Sequence, residues 1–533
     1  MKGIKKILAV MAAVMMMIGL TATNAHAAPS DTTLSVSGVA GHTYKYYQLF
    51  VGDLATDGTT LSNVKWGNDA ASSVAYKTKD TDGNFTVDAT ATVAKGEAVP
   101  QAVLDYVASL SGKTASDNAQ ATADIIGAWV TGEGTAIPAN GATVKTGYYV
   151  IKDSITDNAA AGQSTVSTTI VEIVGPTIVT PKASTVTSEK HVDDQNDSDS
   201  TDHSELMDSA DYDIGDNVPY TLTFTLPADY ASYTTYYVQF VDDMSAGLNY
   251  NGDAKIYYGA SDTVGADITF TADSTATSAY TDGTVYKATI TDLKTTKPGL
   301  ADGTVITIKY TAKLNANAVI GSAGNPNQYQ VEYSRNPNNG GDGDKGTTPW
   351  DKNIVFTYKT VFNKVMPSST GSAGETEPLT GADFKLEKKV GSDWVDVTKL
   401  HGEAAGTINP EKTGDTSGST FTFSGLDAGD YKLTETTTPN GYNTIAPIEF
   451  TITATHDLVS DNPALTALTG TDGAGFVMTP DAAAGSLTAP ILNQAGSTLP
   501  ETGGIGTTIF YAIGSILVVG AGVLLISKKR MFN

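Results

Sequence analysis

The chain has 533 residues, of which 58 are acidic and 33 are basic, so its formal net charge is -25. This acidic balance disfavours nucleic acid as a partner, because the phosphate backbone repels negative charge. Cysteine is absent, which excludes disulfides and cysteine nucleophiles. Large cores or another kind of cross-link must therefore stabilise the folded chain.

The N-terminus is typical of a secretory signal. Three lysines within the first six residues precede an apolar run over residues 7–20, and Ala25-His26-Ala27-Ala28 supplies an Ala-x-Ala cleavage site. We assign residues 1–28 to a signal peptide. An N-terminal membrane anchor is the alternative, but the run is shorter than the roughly 20 apolar residues of a spanning helix.

Roughly 470 residues separate the terminal signals, enough for three domains of about 150 residues each. Short runs of alternating apolar and polar residues predict an all-β multidomain fold of tandem immunoglobulin-like sandwiches. We place the domains at 29–180, 187–349 and 350–494, with a linker at 181–186 and a terminal segment at 495–533. The clearest predicted strands are Thr43–Phe50, Gly147–Ile151, Tyr220–Leu226, Val305–Thr311, Asp383–Glu387, Phe421–Phe423 and Tyr431–Glu435.

Two stretches of the first domain have helical spacing. Apolar residues recur three or four positions apart over Pro100–Leu110 and again over Ala119–Val130. The first domain is therefore expected to be β-rich with one or two helices.

The C-terminus combines Leu499-Pro500-Glu501-Thr502-Gly503, the uncharged segment Ile505–Ile526 and the basic residues Lys528, Lys529 and Arg530. This order resembles the sorting signal of Gram-positive surface proteins. The resemblance implies that a sortase cysteine attacks the Thr502 carbonyl, releases Gly503 onward and passes the acyl group to an amine, which anchors the protein to the peptidoglycan of the cell wall. The uncharged segment is long enough for a transmembrane helix with a cytoplasmic basic tail.

The third domain contains Tyr431-x-Leu433-x-Glu435-Thr436-x-x-Pro439-x-Gly441-Tyr442, which resembles the E-box of Cna-B-type domains in Gram-positive pilins and adhesins. The resemblance implies an isopeptide bond between Lys364 and Asn493, with Glu435 assisting. Lys359 competes with Lys364 for this role. The alternative is an ordinary strand whose glutamate faces water.

The chemistry of such a bond follows from burial. Burial lowers the pKa of a lysine and raises that of a carboxylic acid, so both groups can be neutral together. The amine is then a nucleophile, and the protonated acid can polarise the carboxamide and shuttle protons as ammonia leaves.

The second domain shows a similar order of residues: Ser188-Glu189-Lys190, then Phe240-Val241-Asp242-Asp243-Met244, then Tyr333-Ser334-Arg335-Asn336-Pro337. It resembles the second domain of sortase-assembled fimbrial subunits, which implies a bond between Lys190 and Asn336 with Asp242 as the assisting acid. Strand parity with Phe240 points Asp242 inward and Asp243 outward. A solvated turn aspartate is the alternative.

The linker sequence Thr180-Pro181-Lys182-Ala183 resembles the pilin motif, whose lysine accepts the threonine acyl group of the next subunit. Proline keeps this stretch stiff and extended. The family often has tyrosine before Pro-Lys and asparagine after it, where this chain has Thr180 and Ala183. An ordinary linker lysine is the alternative interpretation.

Together these resemblances imply the major (backbone) pilin of a sortase-assembled pilus, or fimbria, which is structural and supports cell adhesion. The implied partners are class C and housekeeping sortases, identical subunits, accessory tip and base pilins, and a host glycan or matrix ligand. A monomeric wall-anchored adhesin or a pilus base subunit is the alternative. Hydrolase and P-loop motifs are absent, so we predict neither a substrate-converting enzyme nor a cofactor.

No metal site is predicted, since the six histidines have no ligand spacing. The acidic residues Asp197, Asp199 and Asp202 lack the glycine and glutamate of an EF-hand loop, so a solvated loop is favoured over a calcium site. We expect both Asp193–Asp211 and Asn336–Gly346 to be solvated connections.

Overall fold

The computed structural model describes residues 28–110, 119–157, 162–181, 184–195, 198, 206–337, 343–369, 374–400, 411–413, 418–460, 462–472, 476–496 and 505–530. The described residues form strands in several predominantly antiparallel sheets, with two longer helices in the N-terminal third. This confirms the predicted all-β multidomain class. The signal peptide assigned to residues 1–28 lies outside the described residues except for Ala28.

Within its described residues, the first domain has ten strands and both predicted helices. Its main sheet has the order β3-β2-β8-β9, with β6 paired to β2, and two smaller sheets have the orders β10-β1-β7 and β4-β5. The strands are β1 (Asp31–Val36), β2 (His42–Leu54), β3 (Leu61–Trp66), β4 (Ser73–Lys79), β5 (Phe85–Thr92), β6 (Thr135–Ala136), β7 (Ala142–Lys145), β8 (Gly147–Ile155), β9 (Thr168–Ile173) and β10 (Thr177–Val179), and the helices are α1 (Gln101–Leu110) and α2 (Ala119–Gly127).

Helical periodicity identified the two helices because each buries one face. Val103 and Tyr106 of α1 and Ile126 of α2 lie in one core cluster with Phe50 and Trp66 of the sheet. The second prediction extends three residues beyond α2, where Trp129 is buried in a turn.

The middle domain is a sandwich of two sheets. One has the order β11-β13-β20-β16-β17, with β15 paired to β20, and the other has the order β12-β23-β21-β14-β19-β18, with β22 paired to β21. The strands are β11 (Thr187–Val192), β12 (Ser209–Asp211), β13 (Asn217–Thr225), β14 (Val238–Met244), β15 (Leu248–Tyr250), β16 (Lys255–Tyr258), β17 (Ala266–Asp267), β18 (Thr271–Ala272), β19 (Thr284–Ile290), β20 (Val305–Leu314), β21 (Asn325–Ser334), β22 (Lys345–Thr347) and β23 (Asp351–Phe356), with a 3₁₀ turn at Tyr230–Ser232 and a short helix α3 (Leu293–Thr296).

The second domain extends further along the chain than predicted, because it includes strand β23. This strand pairs with β21 and β12 of the middle domain, whereas the sequence placed residue 350 onward in the third domain. Val355 packs into the middle core, while Ile354 and Phe356 on its other face pack into the third. The two domains therefore meet along this strand.

The third domain is a second sandwich, with sheets in the orders β28-β29-β24-β34-β33 and β27-β26-β30-β31-β32; β25 pairs with β24. Its first and last long strands, β24 and β34, run parallel as neighbours. The strands are β24 (Tyr358–Pro367), β25 (Thr376–Pro378), β26 (Asp383–Val390), β27 (Asp393–Asp396), β28 (Glu411–Thr413), β29 (Thr420–Leu426), β30 (Gly429–Thr437), β31 (Ile448–His456), β32 (Leu465–Thr471), β33 (Thr479–Asp481) and β34 (Ser486–Leu492), with a 3₁₀ turn at Val397–Lys399.

Past the third domain, helix α4 covers Ile505–Arg530. Among the residues that the structure describes, no helix is both long and apolar enough to cross a membrane. The expectation of a transmembrane segment over Ile505–Ile526 is therefore wrong.

The two predicted loops differ from expectation where they are described. The acidic connection Asp193–Asp211 ends in strand β12, whose residues are all buried, with Asp211 only 4% exposed. The connection Asn336–Gly346 ends in β22. Asp197, Asp199 and Asp202, the residues considered for calcium, lie outside the described part of the chain.

Candidate cross-link sites

In the third domain, three predicted residues meet at the end of the sandwich. Lys364 lies on β24, Glu435 lies on β30 of the facing sheet, and Asn493 follows β34 directly. Because β24 and β34 are parallel neighbours, Lys364 lies opposite Ile491, and Asn493 is two residues further along. The pairing of the first and last strands thus brings together residues 129 positions apart.

The three side chains are in mutual contact. Lys364 Nζ lies 2.5 Å from Asn493 Oδ1 and 3.0 Å from Glu435 Oε1. Asn493 Nδ2 donates to Glu435 Oε1 at 3.1 Å. The other glutamate oxygen, Oε2, accepts from the Ile445 backbone N–H at 3.1 Å and from the Thr438 hydroxyl at 3.2 Å. The carboxylate is therefore fixed between the amine and the amide.

Burial gives this site the electrostatics that amide formation needs. The side chains of Lys364 and Glu435 are both 0% exposed, and Asn493 is also fully buried. Burial lowers the pKa of Lys364, and the nearby Glu435 carboxylate opposes part of that shift. An amine that loses its proton more readily is a better nucleophile.

Lys359, the competing lysine, lies on the opposite face of β24. Tyr358, Thr360, Phe362 and Lys364 alternate inward and are buried, whereas Lys359 is partly exposed. Strand parity therefore separates the two lysines.

The middle domain has a second buried cluster, which contains a tyrosine. Lys190 Nζ on β11 donates to Asp242 Oδ2 on β14 and to the Tyr310 hydroxyl on β20, both at 2.8 Å. The Tyr310 hydroxyl in turn donates to Asp242 Oδ2 at 2.8 Å. Lys190 is 0% exposed and Asp242 is 1% exposed. Burial lowers the pKa of Lys190 and raises that of Asp242.

The predicted amide partner in this domain, Asn336, is in the wrong place. It lies two residues beyond the end of β21, and Asp242 pairs with Tyr329 in that strand. At a rise of about 3.3 Å per residue, seven positions put Asn336 roughly 20 Å from the level of Asp242. A lysine side chain cannot bridge that gap.

Asn327 occupies the position that the prediction gave to Asn336. It is 0% exposed, and its Nδ2 donates at 2.9 Å to the same Tyr310 hydroxyl that accepts from Lys190. Its Oδ1 has no hydrogen-bond partner among the described residues. The sequence held one signal for Asn327. It lies an even number of positions from Tyr329, Val331 and Tyr333, so it shares their face of β21, which is buried.

A second buried asparagine, Asn353 on β23, lies on the backbone side of Lys190. Its Nδ2 donates to the Lys190 carbonyl oxygen at 3.0 Å. It contacts neither Asp242 nor Tyr310 through a described hydrogen bond, so it is placed to hold β11 rather than to meet the amine.

Asp243 points away from the Lys190 cluster, as parity predicts, but it is not solvated. It is 2% exposed because residues 278–279 cover it: Ser278 Oγ and the Ala279 N–H donate to its carboxylate at 2.5 and 2.9 Å. At this position, a side chain that points away from the cluster is nevertheless buried, because a neighbouring loop covers it.

The groups that a sortase would use, Lys182 and Leu499-Pro500-Glu501-Thr502-Gly503, lie outside the described residues. The structure does place their neighbours. Pro181 follows β10 of the first domain, and Gly496 is three residues past Asn493.

Two parts of the chain match known families. Residues 370–463 match the SpaA prealbumin-like fold domain, and residues 491–531 match the LPXTG cell wall anchor motif. The trypsin-resistant surface T6 protein of Streptococcus pyogenes serotype M6 is 26% identical over 381 residues. That match spans 60% of this chain and 65% of the relative's length.

These matches support a cell-wall-anchored pilus subunit. The solved structure of the T6 backbone pilin has the same fold, with a TM-score of 0.50 at 17% identity, covering 89% of this chain and all of the pilin. The major pilin SpaD of Corynebacterium diphtheriae gives a TM-score of 0.43 at 16% identity, covering 88% of this chain and 98% of SpaD. The findings support a surface pilus protein of a Gram-positive bacterium.

Proposed function

We propose that this pilus subunit is the repeating backbone of the fibre. A class C sortase joins the Thr502 carbonyl of one subunit to the Lys182 amine of the next, and a housekeeping sortase attaches the finished fibre to peptidoglycan. Accessory tip and base pilins complete the fibre, which supports adhesion to a host glycan or matrix ligand.

The observation that carries the proposal is the contact between Lys364 and Asn493 at 2.5 Å. These residues lie on the entry strand and just past the exit strand of the third domain. A bond between them directs tension from one end of the domain to the other without loading the strands between. Such a path is what a subunit in the shaft of a covalent fibre needs.

The geometry of this site supports bond formation between Lys364 and Asn493. The neutral Lys364 amine attacks Cγ of Asn493, the C–N bond to the carboxamide nitrogen breaks, and ammonia leaves. Glu435, which contacts both nitrogens through Oε1, relays a proton from the attacking nitrogen to the departing one. The acid is regenerated, so the net change is one amide bond formed and one ammonia lost.

The middle domain supports the same reaction with different parts. Lys190 would attack Asn327 while Asp242 relays the proton, and the Tyr310 hydroxyl contacts the amine, the acid and the amide. The shorter aspartate does not itself contact the amide in a described hydrogen bond. We therefore assign Tyr310 the role of positioning Asn327 beside the amine.

The proposal is tested by an immunoblot of boiled, detergent-treated cell-wall extract from cells that express the wild type or Lys182→Ala. The wild type is expected to give a ladder of high-mass species, and the variant is expected to give monomer alone. Lys145→Ala, which removes a half-exposed lysine of the first domain, is the matched control and should keep the ladder.

The other outcomes separate the alternatives. A ladder that survives Lys182→Ala moves the acceptor to another lysine. Wild-type protein that stays monomeric in cells with their own sortases contradicts a backbone role and favours a wall-anchored adhesin or a base subunit.

A further inference from the structure

Three lysines are fully buried among the described residues: Lys190, Lys364 and Lys388. The first two belong to the clusters described above, and Lys388 belongs to neither. Burying a lysine is costly unless its charge is paired or lost. Groups outside those two clusters must therefore pair with the Lys388 charge or remove it.

Lys388 lies between carboxylates of two domains. It projects from β26 of the third domain, and its Nζ lies 2.5 Å from Asp213 Oδ2 and 2.5 Å from Asp427 Oδ1. Asp213 follows β12 of the middle domain, and Asp427 lies in the turn between β29 and β30 of the third. The three side chains are 0–1% exposed.

Backbone contacts fix the two carboxylates against each other. The Asp427 N–H donates to Asp213 Oδ1 at 3.0 Å, and the Ile214 N–H donates to the Gly425 carbonyl at 2.9 Å. Gly425 has a φ of +88°, and a Cβ there would lie 2.6 Å from Ile214. Only glycine lets the two domains approach this closely.

The charges of the cluster do not balance as a simple ion pair. Two carboxylates and one ammonium would leave a net negative charge in a site without water contact, which is strongly unfavourable. Burial raises the pKa of Asp427 well above its usual range, and the neighbouring Asp213 adds to that shift. Asp427 is therefore the protonated acid, and both its carboxyl group and that of Asp213 contact Lys388 Nζ.

A metal ion is not an alternative for this cluster. Asp213, Asp216 and Asp427 have the spacing of possible ligands. However, the Lys388 ammonium already lies between Asp213 and Asp427 and would repel a cation.

We propose that Lys388 and Asp213 condense into an amide that covalently joins the middle and third domains. Once the Lys388 ammonium gives one proton to Asp213 Oδ2, which it contacts, the Lys388 nitrogen attacks Cγ of Asp213, the bond from Cγ to Oδ2 breaks, and one water leaves. Asp427 donates its proton to the leaving hydroxyl and takes one from the nitrogen, so it ends as it began. The Asp427 N–H, which already binds Asp213 Oδ1, stabilises the charge that develops on that oxygen.

Two features favour the condensation. Contact at 2.5 Å makes the reaction effectively unimolecular, and well-oriented groups can reach effective molarities of about 10⁵ M or more. The product also replaces two buried charges by a neutral amide. This cross-link is independent of sortase assembly and goes beyond the proposed pilus role, because it fixes the angle between two domains rather than one sandwich.

Tryptic peptide mapping by mass spectrometry tests the proposal on the secreted region, residues 29–496, produced in a host without its sortases. The expected result is a branched peptide in which Lys388 resists trypsin and is joined to the peptide containing Asp213, with the loss of one water. Asp213→Ala should abolish the branched peptide, and Lys389→Ala, which removes the partly exposed neighbour, should retain it.

An unmodified, trypsin-cleaved Lys388 in the wild type overturns the proposal, and so does a branch to Asp427 instead of Asp213. Loss of ammonia at Lys364 in the Asp213→Ala protein reports that the third domain still folds. The wild-type map decides the question even if that variant does not fold. Failure here leaves the Lys–Asn bonds and the immunoblot ladder unaffected, so the two proposals fail separately.

Discussion

The Lys364 and Lys190 sites place a buried amine beside an acid and an amide in different ways. In the third domain, one glutamate contacts both the amine and the amide directly. In the middle domain, Asp242 contacts the amine, and the Tyr310 hydroxyl links it to Asn327. The contrast suggests that a side chain shorter by one methylene needs a bridging hydroxyl to complete the same arrangement.

The first domain extends the comparison, because no lysine is fully buried among its described residues. Its raised acids are the buried Asp153, which lies 3.4 Å from the His42 imidazole, and the partly buried Glu172; burial raises the pKa of each to about 7. Two domains therefore carry the parts of a covalent Lys–Asn cross-link, while the described part of the first has no fully buried lysine to supply the amine.

The largest effect is expected from Glu435→Ala, which removes the acid of the third-domain site. The bond should not form, so the ammonia loss at this site disappears. The chain-entropy account of cross-links gives about 5 kcal/mol for a loop of 129 residues, and the third domain should lose stability of that order. Intact-mass measurement and thermal unfolding check both effects. Glu449→Ala, an exposed glutamate on β31, should change neither; a Glu435→Ala protein that still loses the ammonia would contradict the assigned role.

Three asparagine variants test which asparagine is the amide partner of Lys190 in the middle domain. Asn327→Ala should abolish the ammonia loss there, whereas Asn336→Ala should not. Asn353→Ala removes one hydrogen bond to the Lys190 backbone and should cost about 1 kcal/mol while keeping the mass change. Intact mass and urea unfolding of the three proteins decide between them. If only Asn353→Ala loses the bond, then Asn353 rather than Asn327 is the asparagine that Lys190 attacks.

The bridging role of Tyr310 predicts a kinetic effect. Tyr310→Phe leaves Lys190, Asp242 and Asn327 in place but removes the hydroxyl that joins them, so the middle-domain bond should form more slowly, with no change at Lys364. The mass of freshly purified protein should show an unreacted fraction that falls with time. Tyr236→Phe is the matched control, because Tyr236 is fully buried in the same core and its hydroxyl has no hydrogen-bond partner among the described residues. Equal rates in both variants would remove Tyr310 from the mechanism.

The smallest effect is a pH dependence of the first domain. Burial raises the pKa of Glu172 to about 7 in the folded state, from 4.5 for the free group. The contribution of Glu172 to the free energy of unfolding is therefore complete below about pH 4.5 and is lost as the pH rises through about 7. Urea unfolding of the first domain should therefore show a loss of stability between about pH 5 and pH 8 that is smaller in Glu172→Gln. Glu133→Gln, whose side chain is 99% exposed, should match the wild type; identical profiles for all three proteins would contradict this account.

The sequence predicted the residues of the third-domain site because local patterns mark them, although they lie up to 129 positions apart. Glu435 lies in a motif of contiguous residues, and parity along one strand separates Lys364 from Lys359. Asn327 was missed because its identity depends on register between strands: only the pairing of Tyr329 with Asp242 shows which asparagine reaches the amine. The same limit hid Lys388 and Asp213, which lie 175 residues apart and meet only when two domains dock.

Burial between domains accounts for the other differences. The acidic stretch near Asp211 was expected to be solvated because its composition is polar, yet β12 pairs with β23 and is covered by the third domain. Composition predicts exposure for an isolated loop, and it fails where a loop becomes an interface.

The central claim is that the middle and third domains each close an internal Lys–Asn bond. Tryptic mapping of the wild-type secreted region tests it most directly, at Lys190 and Lys364. The account predicts one branched peptide that joins Lys190 to Asn327 and another that joins Lys364 to Asn493, each lighter by one ammonia. Recovery of both lysines in ordinary, unbranched peptides would contradict it.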